Sequence, residues 1–175
     1  MRRLVSGLWL ILLLASPFAG QTDEWKKYKS TDGNFTVLFP GDPQDTVNNG
    51  GPGITSHTLQ VQQKPAFYMI VWTSFDSLQA VNDTNFEGFK NGFLGKLPKC
   101  EIGTEQPASP ALQGYIGQGY RLNCEVQQKK IVITGNLYWG KHYCFAVMSM
   151  FPADMPESAE VKRFIESFGL IDPAK

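Results

Sequence analysis

Apolar and polar residues alternate along most of this chain, and only two segments carry apolar residues at helical spacing. Phe35, Val37 and Phe39 recur at every second position with Asn34, Thr36 and Leu38 around them, the pattern of a strand with one strongly buried face. Pro40 then removes a ladder donor, Gly41 permits positive φ and Asp42-Pro43 favours a turn, so the strand must stop there. The run NNGGPG at 48–53 reads as a loop, after which Ile54 to Val61 resumes as a strand. Ala66 to Phe75 (AFYMIVWTSF) is almost continuously apolar and β-rich, which predicts a central strand covered on both faces.

A helix is needed to cover such a strand, and the candidate is Leu78 to Leu97. There Phe86, Phe89, Phe93, Leu94 and Leu97 form one stripe. Gly88, Gly92 and Gly95 weaken it, each by about 1 kcal/mol relative to alanine, so packing must hold it. Pro98 ends it. Strands are predicted at Cys100 to Ala108, Gly119 to Gln127 and Lys130 to Trp139, and Gly140-Lys141 turns into a second doubly covered strand, His142 to Phe151. A last helix is predicted to open at Asp154 and Glu157 with Pro156 in its first turn, presenting Val161, Phe164, Ile165 and Phe168. The sum is an α+β domain whose mainly antiparallel sheet of about six strands is flanked by helices.

The first residues change the picture of compartment. Arg2 and Arg3 precede an apolar run, Leu4 to Ala15, and then Ser-Pro-Phe-Ala-Gly, the layout of a secretory signal peptide over 1–20. That run is shorter than the roughly 18 to 20 residues of a membrane-spanning helix. The expected product, 21–175, is a single secreted or periplasmic domain with no membrane span. The full chain carries 16 basic and 16 acidic residues. Losing Arg2 and Arg3 tips it slightly acidic, with no basic run longer than a lysine pair, which argues against nucleic acid.

Three cysteines in an exported chain suggest one disulfide and one free thiol. If Cys100 to Ala108 and Gly119 to Gln127 form a hairpin turning near Ala111 to Gly114, Cys100 and Cys124 come close to opposite each other, leaving Cys144 free. His142 and Cys144 sit two apart, but no further histidine or paired cysteine stands at ligand spacing, so no metal site or cofactor is implied. His57 is alone beside the glycine-rich run. No nucleophile elbow, zincin motif or phosphate loop is present, and the glycines of GYIGQG are out of order for a dinucleotide fingerprint. Asp42 and Asp45 are ordinary turn residues. Aromatic residues make up 13% of the chain, and Tyr115, Tyr138, Trp139 and Tyr143 gather around the Gly140-Lys141 turn. Tyrosine and tryptophan suit recognition surfaces, so these four with Asp42 are the expected partner surface. Of two glycosylation sequons, Asn34 to Thr36 and Asn82 to Thr84, the first lies in a strand and is a poor acceptor.

The segments EWKKYKSTDGNFTVLFPGDPQ, YMIVW, GYIGQGYRL and RFIESFGL resemble those of a group of exported, uncharacterised bacterial proteins. Their fold is similar to that of PsbP and DcrB, an α/β/α sandwich, and the resemblance runs from Trp25 to Leu170. It implies binding and accessory roles with no shared catalytic site, and no ligand residue carries over. The expected function is a non-enzymatic exported binding or accessory protein, its partner an envelope or secreted protein or a small ligand. The alternative is an enzyme of unrecognised class using His57, His142 or a loop carboxylate.

Overall fold

The computed structural model describes residues 24–97 and 99–172; the expected signal peptide and Pro98 lie outside the described residues. Strands β1 (Lys26–Ser30), β2 (Phe35–Phe39), β3 (Gln44–Gly51), β4 (Ile54–Gln63) and β5 (Ala66–Phe75) precede helix α1 (Asp83–Leu94). Strands β6 (Cys100–Pro107), β7 (Ile116–Val126), β8 (Lys129–Trp139) and β9 (Tyr143–Pro152) follow, then α2 (Ala159–Glu166) and the short β10 (Gly169–Leu170).

These strands form two sheets, which corrects the expected sandwich. A seven-stranded antiparallel sheet runs β3-β4-β5-β9-β8-β7-β6, and a three-stranded sheet runs β1-β2-β10. The strands thus outnumber the expected six, and in place of one helix-flanked sheet a second sheet covers part of the first. Two short helices cover little of the large sheet, so much of the flanking is done by strand. The NNGG run, expected as loop, belongs to β3, whose pairing with β4 is interrupted only between Asn49 and Gly51. Neighbour pairing supplies the ladder bonds that the weak propensity of Asn and Gly withholds.

The two central strands are the two that read as continuously apolar. β5 and β9 pair from Phe67↔Met150 to Ser74↔Tyr143. Alternation sends Tyr68, Ile70, Trp72, Phe145 and Val147 to one face and Met69, Val71, Cys144, Ala146 and Met148 to the other. The first face is closed by the small sheet and α2, whose Val161, Phe164 and Ile165 are buried in that core together with Phe168 just beyond the helix. The second face is closed by α1, with Phe86 buried and Phe89, Phe93, Leu94 and Leu97 packed around it, the predicted stripe. The helix is shorter than expected because Asn82 caps it, its side chain accepting a hydrogen bond from the Asn85 N–H at 2.9 Å.

α2 likewise starts later than predicted. Ser158 is its cap, accepting from the Val161 N–H, while Glu157 instead receives the Arg121 guanidinium at 3.0 Å. The small sheet is held at its far end by Asn34, a buried residue at φ 57. Its amide donates to the Asp172 carbonyl at 2.7 Å and accepts from the Asp172 N–H at 2.9 Å. Asn34 thus lies in the turn before β2 and not in the strand as expected, with its side-chain amide engaged at Asp172.

Cys100 stands opposite Cys124 in the β6–β7 register, and the two form the expected disulfide across a separation of 24 residues. It ties the edge strand to its neighbour and contributes about 3.5 kcal/mol on a chain-entropy argument. Cys144 is free and buried. No helix among the described residues is long and apolar enough to cross a membrane.

Candidate functional site

Register builds the most chemically distinctive surface. Pairing puts Val47 of β3 opposite His57 of β4, and His57 opposite Trp72 of β5. Directly opposed side chains on one face must touch. The His57 imidazole lies flat on the Trp72 indole, with centroids 4.1 Å apart and planes within 4°. Asp45, two residues before Val47 and so on the same face, brings both carboxylate oxygens to 3.4 Å from His57 Nδ1.

Trp72 is buried, held edge-on by Tyr143 from β9 and by Phe35 from β2, each with centroids 6.3 Å away. Tyr28 of β1 packs against Phe35 at 6.2 Å. Half-buried His57 and Tyr143 therefore flank a buried indole, and half-buried Tyr28 joins the same cluster through Phe35, so both sheets contribute. Two carboxylates border them. Burial raises the Tyr28 phenol above its ordinary value and the charges of Asp45 and Asp32 add to it; burial, then Asp32, does the same to Tyr143. Exposed Asp32 makes no ion pair among the described residues, and Asp45 pairs only with His57.

Such a surface can take up a cationic or hydrogen-bond-donating group: aromatic faces attract cations, and carboxylates strengthen that attraction. Two grooves lie elsewhere. One of about 310 Å³ runs beside Lys90, Leu94, Cys100, Ile102 and Leu122. The other, about 510 Å³, lies beside Lys129, Lys130, Pro152 and Asp154. The first has a single ionisable side chain, Lys90, and the second sets Lys129 and Lys130 beside Asp154.

The aromatic residues expected around the Gly140 turn do not form one rim. Tyr138 is fully buried, donating to the Pro110 carbonyl at 2.7 Å and stacking on Phe168 at 5.7 Å. Trp139 is buried on the opposite face, donating from Nε1 to the Ala80 carbonyl at 3.0 Å and packing on Phe75 and Phe89. Consecutive residues of a strand cannot share a face, and the 108–115 loop folds over Tyr138. Tyr115 packs on Phe145 with a hydroxyl that has no partner among the described residues. Gly140 makes room for it, since a Cβ there would stand 2.3 Å from the Tyr115 ring. Tyr143 alone of the four joins the Trp72 surface. Asp42 is exposed and ion-paired with Lys26 at 2.8 Å.

His142 lies 6.2 Å, ring to ring, from Tyr143. It makes no dyad with Cys144, whose thiol burial pushes up to about 12, away from reactivity at neutral pH. Among the described residues no group of three or more His, Cys, Asp or Glu could hold a metal ion. Sequence reasoning missed Trp72 and the Asp45–His57 contact, because these partners lie 12 and 15 positions apart and meet only through register. The available signal was His57 and Trp72 at period-two positions of adjacent strands. No family model, curated protein or solved structure matches the chain.

Proposed function

We propose that this chain is an exported, non-enzymatic binding or accessory protein whose recognition surface is the patch of Tyr28, His57 and Tyr143 over Trp72. The observation that carries this reading is the His57–Trp72 stack with Asp45 on its edge. It sets a carboxylate acceptor, 42% exposed, at the edge of an imidazole that is 18% exposed, while half-buried Tyr28 and Tyr143 supply residues of the type favoured at binding hot spots. The partner is a secreted or envelope molecule offering a basic group to Asp32 and Asp45. The leader-like first residues, the resemblance to exported bacterial proteins and the disulfide support a secreted or periplasmic location.

The test is capture of partners from the chain's own envelope or secreted fraction, followed by binding isotherms for His57→Ala, Tyr143→Ala and Asp45→Asn. Each is expected to weaken binding, by about tenfold or more at a hot spot, with the circular dichroism spectrum unchanged. A partner that binds all three variants like the parent would overturn the assignment of this surface. The Asp45–His57 contact also favours a second reading, an acid–base enzyme in which the carboxylate orients the imidazole. Turnover abolished by His57→Ala would establish it in place of binding.

A further inference from the structure

The other face of the large sheet gathers three thioethers. Met69 of β5 stands directly opposite Met148 of β9, and Met150 follows two residues on, so that all three share one face and one cluster. The chain has five methionines in all. Opposed residues of an antiparallel pair lie about 4.5–5.5 Å apart at Cα and next-but-one residues about 7 Å apart, within reach of three unbranched, rotatable side chains. On β8 the residue opposite Met148 is Gly135; a Cβ there would stand 2.0 Å from the Val147 carbonyl and 2.8 Å from the Met148 sulfur, so the missing side chain leaves that sulfur room.

We propose that Met69, Met148 and Met150 form a binding site for a soft monovalent cation, Cu(I) or its analogue Ag(I). Thioethers are soft, neutral ligands and select Cu(I) over harder ions. The neighbours favour a single charge over a double one. Gln60 faces Met69, Phe67 and Ile133 face Met150, and no ionised side chain occupies these positions of the face. A divalent ion would enter without a countercharge, at a large desolvation cost. Met148 is 1% exposed and forms the floor, while Met69 and Met150 are half-buried and provide the way in. This inference is independent of the patch around Trp72.

The experiment follows the methionine methyl signals of [ε-13C]methionine-labelled protein during anaerobic titration with Ag(I), in a Cys144→Ala background that removes the competing thiol. The signals of Met69, Met148 and Met150 are expected to shift together and saturate at one equivalent. Met155, 41% exposed, serves as the control and stays unmoved, and Zn(II) changes nothing. Met69→Leu and Met150→Leu, which conserve packing, should each weaken binding about tenfold or more. The proposal is overturned if Ag(I) shifts only Met155 or no methyl at all, or if both leucine variants bind like the parent.

Discussion

On one face of the seven-stranded sheet Phe35, Tyr68, Trp72, Tyr138, Phe145 and Phe168 close ring against ring beneath a second sheet and α2. On the other face Leu122, Ile133, Leu137, Ala146 and Met148 lie under the single helix α1. Strands β5, β8 and β9 supply both, residue by residue in alternation, while Phe35 and Phe168 reach the first face from β2 and from the segment after α2. Aromatic side chains carry more area each and prefer defined edge-to-face geometries, so the first face is a rigid lattice whose rim extends into the His57–Trp72 surface. The second, built of aliphatic and thioether groups, has the adaptability that unbranched side chains allow. A recognition surface belongs on the first; a site that closes around an ion belongs on the second.

The largest expected separation of the two faces comes from alkaline pH. Burial raises the phenols of Tyr68, Tyr115 and Tyr138 on the aromatic face, Tyr68 to about 12 from an ordinary 10 and the other two further. The helical face has one such phenol, Tyr120. The unfolded chain loses these protons first, so their stability is fully present below about pH 10 and is lost as pH rises toward the folded values. A shift like that of Tyr68 corresponds to roughly 3 kcal/mol. Urea midpoints should therefore be flat through neutral pH and fall steeply above about pH 10. Tyr115→Phe removes a buried hydroxyl that has no partner among the described residues, so it should raise stability at pH 7, by about 1 kcal/mol, and make the alkaline decline shallower. A decline equally steep in that variant would show that Tyr115 is not among its sources.

Next in size is a pair of substitutions on one strand. Phe145 meets Phe35, Tyr115, Tyr143 and Phe168 with centroids between 5.1 and 6.0 Å. Phe145→Ala should cost about 3–5 kcal/mol. Met148→Leu, pointing the other way, should cost less than about 1.5 kcal/mol because volume is conserved in an adaptable cluster. Chemical denaturation of both variants measures the contrast. Equal losses would mean that the two faces are equally tightly specified.

How far this division was legible in the sequence depends on the range of the interaction. The strand at Phe35 to Phe39, the α1 and α2 stripes and the Cys100–Cys124 bridge follow from local period or from one hairpin register, and the structure contains them. The separate three-stranded sheet does not follow from such rules. It exists because Gly169 and Leu170 return to pair with Thr36 and Phe35, a contact no local pattern encodes. Tyr138 and Trp139 looked like a rim because they flank a turn, yet each is covered by a segment remote in sequence, Pro110 and Ala80. The His57–Trp72 stack is the same lesson in reverse, a surface assembled from residues that were unremarkable one by one.

The smallest expected effect tests why the helical face is held by packing alone. Gly88 and Gly92 lie inside α1, and a Cβ built on either would meet nothing within 4 Å. Both glycines therefore cost helix propensity without giving closer packing in return. Gly88→Ala and Gly92→Ala should each stabilise the protein by about 0.5–1 kcal/mol, through lower entropy of the unfolded chain and better helix propensity. Because the two sites are one turn apart, close enough to couple, the double variant measures how far the two gains add. Hydrogen exchange would locate the gain: slower exchange confined to α1 indicates that the helix opens on its own, as expected of an element with one buried residue, Phe86. Slowing that extends equally to β9 would instead mean that α1 and the sheet open as one unit, and the aromatic face would then owe part of its rigidity to the helix on the far side.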